Sequence, residues 1–275
     1  MLNDPHLKIV DYWVKSFDVF PNVDVKGGIA ISYWDKNIDF GCIGFFSPYP
    51  ELHRILHKVK AKDFVPFSSI VGPREAYGLT EELYIEHPEL DGRQSKGHRY
   101  SLSANILDIF PELFSIDEKP DSIRIYGRYD NQRGYRWIKD KYISKPDSFS
   151  FYKVFVPEAN GTGAIGEVLS VPVIGVPVIG HTDTFLSIGK FADAQEADRC
   201  LRYVKTKMAR CMLGTLKATQ HNPRDTWANV PLQDFTDKSD IDWSQSVADI
   251  DRQLYRKYNL TDDEIAFIES MIKPM

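Results

Sequence analysis

Cysteine is nearly absent from this chain: three in 275 residues, Cys42, Cys200 and Cys211. Their spacing matches no metal-ligand pattern and no disulfide framework. That excludes a zinc-ribbon or disulfide-stapled class and fits a reducing, cytoplasmic setting. A run of about 18 apolar residues is also missing, so no membrane-spanning helix is expected. The opening Met-Leu-Asn-Asp-Pro-His lacks the basic and apolar stretches of a secretory signal. Low-complexity segments and repeats of about 20–50 residues are missing too. What is present is apolar and aromatic: 43% hydrophobic and 13% aromatic residues. That excludes disorder and supplies a core for one large domain or two small ones.

The formal net charge is -5, which taken alone weighs against nucleic acid as a partner. The charge is not evenly spread, however. Residues 199–224 carry seven bases and no acid. Residues 121–145 carry seven bases and three acids. Residues 232–275 carry ten acids and five bases, which equals the whole net charge. Such segregation is a statement about partners rather than about fold.

Period-2 alternation predicts two strands within 23–35, the second ending at the turn signal Asp35-Lys36-Asn37. Tyr49 to Lys60 reads as a short helix with Leu52, Leu56 and Val59 on one face. The stretch from Gly72 to Gly97 reads as irregular. Strands are expected over 123–127, 135–143 and 149–156, and short ones between Pro172 and Gly189. The clearest helix is a long basic one from Asp193 to about Ala218. It opens with the Asp193/Glu196 spacing of a capping box and carries Ala197, Leu201, Val204, Met208, Cys211 and Thr215 in helical register. A C-terminal helical hairpin follows, Ser246 to Tyr258 and Thr261 to Ile272, the latter with a second capping box, Thr261 to Glu264. Strands and helices do not alternate regularly, so an α+β fold with mixed sheets is expected rather than a doubly wound one.

Motifs for chemistry are weak. Gly161-Thr162-Gly163-Ala164-Ile165-Gly166 matches G-x-G-x-x-G, with Asp183 17 residues beyond its last glycine. The prolines Pro172 and Pro177 leave no room for the helix that a phosphate or cofactor loop requires, so a turn is expected. Ser47-Pro48-Tyr49-Pro50 lacks the adjacent prolines of an amino-methyltransferase motif and also reads as a turn. His53 and His57 stand at i, i+4 without a supporting glutamate, so no metal site is expected. Pro120-Asp121 and Pro146-Asp147 lack the acidic-x-Lys strand that a metal-dependent nuclease needs.

Basic and aromatic residues interleave in one place. Arg124, Arg128, Asn131, Gln132, Arg133, Arg136 and Lys139 fall among Tyr126, Tyr129, Tyr135 and Trp137. Arginine forks and Asn/Gln amides read guanine and adenine edges, and cationic side chains neutralise phosphates. Lys205, Arg210, Lys217, Gln220 and Arg224, on the basic helix and the turn after it, suggest a second contact strip. The bland alternative for both is a solvated charged face.

Several segments resemble the target-recognition region of adenine-specific DNA methyltransferases from type II, type IIG-like, restriction–modification systems. They are Val154-Phe155-Val156-Pro157-Glu158-Ala159-Asn160-Gly161-Thr162-Gly163, His181-Thr182-Asp183-Thr184-Phe185-Leu186, Leu216-Lys217-Ala218-Thr219-Gln220, and the closing runs from Val230, Ile241 and Ile250. Val19 to Gly28 is similar to the last strand hairpin of the family's catalytic domain. The resemblance implies three parts: a hairpin remnant over 1–45, a DNA target-recognition domain over 46–230 and a helical hairpin over 231–275. It further implies double-stranded DNA as partner and a methyltransferase or endonuclease partner, or a missing N-terminal half. The family's S-adenosylmethionine loop and Asn-Pro-Pro-Tyr motif lie upstream of this hairpin. No catalytic residue is therefore expected here, and S-adenosylmethionine and magnesium belong with the catalytic parts. The rival expectations are a subunit that still cleaves or methylates DNA, and a protein-docking remnant of a split gene. In the docking reading the acidic terminal hairpin contacts a methyltransferase subunit and residues 1–45 complete its sheet. An unpaired strand there is an aggregation liability.

Overall fold

The apolar runs pair into several small sheets packed with helices, an α+β fold. A computed structural model describes every residue except Asp24, Lys26, Gly27, 162–164 and Ala218. Near the N-terminus, β1 (Leu7–Trp13) pairs antiparallel with β2 (Ile29–Trp34). The hairpin therefore differs from the expected pair within 23–35: the second strand forms, but its partner lies upstream. The expected residues Asp24, Lys26 and Gly27 lie outside the described ones. Ser16 explains part of the connection. Its hydroxyl donates to the Val23 carbonyl and accepts from the Val25 N–H, pinning the loop across the hairpin. This two-stranded sheet leaves Val10, Phe17, Phe20, Ile31, Tyr33 and Trp34 exposed.

Helix α1 (Pro50–Lys60) starts as its sequence predicts. Ser47 Oγ accepts from the Tyr49 N–H in a tight turn, and Pro50 takes the first helical position, where its missing N–H costs nothing. Leu52, Ile55, Leu56 and Val59 are its buried face. The stretch from Gly72 to Gly97 is more ordered than expected. It contains β3 (Gly78–Leu79) and α2 (Glu81–Glu86), and α3 (Ile106–Ile109) follows. Tyr77, Leu79, Leu83, Leu90, Ile106 and Leu107 from this region build a core of their own. They pack on Ile123 and Ile125 of β4 (Ser122–Tyr129) and Ile138 of β5 (Gln132–Lys139).

Strand β6 (Ile143–Ser144) pairs with β3, and β7 (Tyr152–Pro157) follows. Then come β8 (Val173–Gly175), β9 (Ile179–His181) and β10 (Phe185–Phe191). Two three-stranded sheets result. One runs β10-β7-β8, all antiparallel; the other runs β5-β4-β9, with β9 parallel to β4. No helix follows Gly166; the chain runs irregularly to β8, as the prolines predict. Gly161 and Gly166 both adopt positive φ, and a Cβ at Gly166 would stand 1.8 Å from the Met271 carbonyl oxygen. The rest of the glycine motif, 162–164, lies outside the described residues.

The long basic helix is two helices. α4 (Ala194–Lys205) ends at Thr206, whose ψ of 150° is extended, and α5 (Lys207–Gly214) begins there. The break has a complete set of acceptors. Thr206 Oγ1 takes the Ala209 N–H at 3.1 Å. The Asp251 carboxylate takes the Lys207 and Met208 N–H groups, each at 2.9 Å. Three of the four free donors of α5 are thus satisfied by side chains. At the start of α4, Asp193 accepts from the Gln195 and Glu196 N–H groups, while Glu196 reaches Ala192 rather than closing the box on Asp193.

α6 (Val247–Lys257) and α7 (Asp262–Met271) complete the chain, and the Thr261/Glu264 capping box forms. Ile250, Leu254, Tyr255 and Ile268 share one core with α1, α4, α5, β7 and β10. The apolar faces of the terminal hairpin are thus occupied within the chain. Among the described residues no helix is long and apolar enough to cross a membrane.

Candidate nucleic-acid interface

The β4–β5 hairpin carries most of the basic and aromatic interleaving, and its tip is built by its turn. Asp130 and Asn131 adopt φ of 46° and 62° between the closing pair Tyr129 and Gln132. That is the two-residue turn whose twist matches the flanking strands, and Asp and Asn tolerate the conformation. The Asp130 N–H is held by Asp108 Oδ1 at 3.3 Å. Residues 128–133 are all exposed.

Register assigns the faces. Arg124 stands opposite Trp137, Tyr126 opposite Tyr135, and Arg128 opposite Arg133, all on one face. Ile125 stands opposite Arg136, and Tyr129 opposite Gln132, on the other. Tyr126 is buried against Phe155 and Phe185, with ring centroids 6.2 and 4.7 Å away. The base of the hairpin is therefore anchored while its tip stands clear. The guanidiniums are steered by rings: Arg124 lies 5.5 Å from both Tyr135 and Trp137, Arg133 5.4 Å from Phe185, and Arg136 5.0 Å from Tyr129. A groove of about 230 Å³ runs beside the tip between Tyr129, Gln132, Arg133 and Arg136.

Ion pairing divides this hairpin in two. At its base Lys139 reaches Glu86 at 3.6 Å and donates to the Tyr142 hydroxyl, and Lys141 pairs with Glu86 and Glu82. Glu86 is held low, at about 2, by the Lys141 and Tyr142 hydrogen bonds. Toward the tip, Arg124, Arg128, Arg133 and Arg136 have no carboxylate in salt-bridge range among the described residues. Arg128 and Arg133 oppose each other directly, a like-charge cross-strand arrangement that is unfavourable in isolation.

The second strip does not form. Arg210 is 3% exposed and Lys217 7% exposed, so neither faces solvent. The helix break at Thr206 resets the register of α5 so that Arg210 is buried, its Nε donating to the Lys205 and Thr206 carbonyls. Burial lowers its pKa, partly offset by Asp251. Lys217 donates to the Asn160 carbonyl at 2.7 Å and lies 3.8 Å from Glu167. Arg199 pairs with Asp237, Arg202 with Asp198, and Lys207 with Glu269. Two ion pairs, Arg199–Asp237 and Lys207–Glu269, thus join the basic stretch to the acidic tail. Of the strip, Lys205 is half-buried at the end of α4, Gln220 is exposed, and Arg224 donates to the Ser68 carbonyl at 3.0 Å.

The sequence marks Asp183 only as an acid beyond the glycine motif; the structure makes it a buried carboxylate next to this hairpin. Asp183, in the turn between β9 and β10, is 6% exposed and its side chain makes no hydrogen bond among the described residues. Burial pushes it up to about 7, with Arg74 pulling it down and Glu75 and Glu158 adding to the rise. Glu158 itself is held by His221 Nδ1 at 2.9 Å. The folded chain binds this proton more tightly than the unfolded one, so stability falls as pH rises from about 4 to about 7. Asp183→Asn is expected to remove that fall and to be more stable than the parent at pH 8 by up to about 4 kcal/mol, since about 1.4 kcal/mol is lost for each pH unit between about 4 and about 7. Urea titrations at pH 4 and pH 8 check it: equal differences at both pH values would contradict the assignment.

Among the described residues no group of three or more His, Cys, Asp or Glu side chains is placed to hold a metal ion. His53 instead shares its Nε2 with the Ser47 backbone. No protein-family model matches the chain, and no curated protein matches it.

Proposed function

We propose that the chain is a double-stranded DNA recognition module that reads the duplex with the tip of the β4–β5 hairpin. The observation that carries this reading is the directly opposed Arg128 and Arg133, exposed and without carboxylates. Two like charges held together by strand register are relieved by an anion placed between them, and a phosphate is such an anion. A two-stranded ribbon fits the major groove, where arginine forks pair with guanine and Gln or Asn amides with adenine. In this reading Arg128, Arg133, Arg136, Gln132 and Asn131 contact the duplex first. Arg124, stacked on Trp137, supports the phosphate side. Lys139 is drawn towards Glu86 and contributes less.

The restriction–modification context is part of the same proposal, supported by the segments that resemble adenine-specific methyltransferases. S-adenosylmethionine and magnesium chemistry then reside in a separate catalytic part. The exposed Phe17, Phe20, Ile31, Tyr33 and Trp34 of the first hairpin supply an apolar contact for it. Fluorescence anisotropy with a pool of mixed-sequence duplexes at low salt tests the reading. The chain is expected to bind, alone or with an adenine methyltransferase subunit. No binding in either arrangement contradicts it.

A further inference from the structure

We infer that the cleft at the seam of the two cores is a binding site for a nucleoside monophosphate unit, free or within a strand. The cleft holds about 500 Å³, within the range of small-ligand sites. It lies between segments 69–73 and 146–148 and the end of β10. Val71 and Phe191 belong to the larger core; Phe149, next to Ser148, belongs to the smaller one. Its walls are Ile70, Val71, Pro73, Ala76, Pro146 and Phe191, whose flat and aliphatic surfaces suit a planar ring.

Hydroxyls mark one part of the cleft. Ser148 and Ser187 line it, and the Tyr77 hydroxyl sits behind them, between the two. Tyr77 is 2% exposed and its oxygen has no hydrogen bond of good geometry. A buried hydroxyl held only loosely leaves the two serines in front of it open to a polar ligand edge. Donor and acceptor roles at Ser187 are set from behind. His181 Nδ1 lies 2.9 Å from the Thr182 carbonyl, which only accepts, so Nδ1 carries the proton. Nε2 then accepts from Ser187 Oγ at 2.7 Å. Ser187 spends its proton on His181 and presents lone pairs, while Ser148, beside the Tyr77 hydroxyl, can either donate or accept. A base edge, with donors beside acceptors, matches that pair.

Charge marks the other part. Arg224 spends Nε on the Ser68 carbonyl and makes no other hydrogen bond among the described residues. Lys190 is bridged loosely to Asp147 at 3.5 Å. The charged lining is two cations and one anion, a net single positive charge. A guanidinium with its terminal fork free is suited to a phosphate or phosphodiester. This site is separate from the hairpin tip and does not depend on it.

The test uses the full chain and deoxyadenosine monophosphate, followed by saturation-transfer NMR. Binding is expected, weaker by about tenfold for Arg224→Ala and about fivefold for Ser148→Ala. Both residues are at least partly exposed, so both variants are expected to fold. Deoxyadenosine and inorganic phosphate are each expected to bind more weakly than the nucleotide. A single-stranded oligonucleotide with one 2-aminopurine separates the sources. An Arg224-dependent fluorescence change assigns a nucleotide within a strand, and binding of the mononucleotide alone assigns a free one. Arg128→Glu with Arg133→Glu is expected to leave mononucleotide binding unchanged, so failure here is distinct from failure of the hairpin reading. The inference is overturned if neither probe binds, if both cleft variants bind as the parent does, or if the hairpin variant loses mononucleotide binding.

Discussion

Asp251→Ala is expected to lower the unfolding free energy by about 3–5 kcal/mol, the range seen when one partner of a buried charged contact is removed. The carboxylate is 3% exposed and accepts the first two N–H groups of α5 from a neighbouring helix. Alanine leaves both donors buried without acceptors. It also removes the carboxylate whose charge favours the Arg210 cation, two of whose guanidinium nitrogens are buried without hydrogen bonds. Burial already pushes Asp251 up to about 6, against the pull of the two N–H bonds, so the contact is costly to form and costlier to break. Urea denaturation measures the loss. Arg210→Met in the same background is expected to restore part of it, because the stranded cation goes too. Additive losses in that double variant would show that the two residues do not interact.

The second large effect is functional. Arg128→Glu with Arg133→Glu is expected to weaken duplex binding about 100-fold or more, since each bidentate arginine contact contributes about 1–3 kcal/mol. Stability is expected to stay within about 0.5 kcal/mol of the parent, because one like-charge pair replaces another at an exposed tip. Arg133→Glu alone separates the two properties further. It creates an opposite-charge pair with Arg128 across the strands, which offsets the lost stacking on Phe185. Binding should drop while the melting transition does not. A parallel fall in both would mean that the arginines serve the fold rather than a ligand.

Much of the fold is legible in the sequence where the signal is local. The caps of α4, α6 and α7 are Asp193, Ser246 and Thr261, each placed by its own neighbours. The alternation over 123–127 forms β4, and the Asp130-Asn131 turn follows from residues that accept positive φ. What the sequence hides is the work of distant partners. The break at Thr206 depends on Asp251, which lies 44 residues beyond Lys207 in the chain. The helical register of Ala197 through Thr215 runs straight across the break and conceals it. Lys217 looks like a surface base because nothing nearby in sequence shows the Asn160 carbonyl that receives it, and Arg210 looks like one because the helix break before it rests on the distant Asp251. Tyr77 through Leu90 look irregular because charged residues separate side chains that meet only when β4 packs over them.

The same distance effect changes what the charge pattern means. The basic stretch over 199–224 and the acidic tail first look like two surfaces for two partners. Asp237, Asp251 and Glu269 instead tie the two stretches to each other through two ion pairs and the capping of α5. Within residues 121–145 the cations left without ion pairs among the described residues are Arg124, Arg128, Arg133 and Arg136, a smaller basic surface than the sequence suggests but one with defined register.

The most direct measurement is the salt dependence of duplex binding for the parent and for Arg128→Glu with Arg133→Glu. If Arg124, Arg128, Arg133 and Arg136 each neutralise one phosphate, log Kd plotted against log salt should have a slope of about 3.6, falling to about 1.8 in the variant. Equal slopes for the two proteins, or no binding by the parent at the lowest salt, would contradict recognition by the hairpin tip.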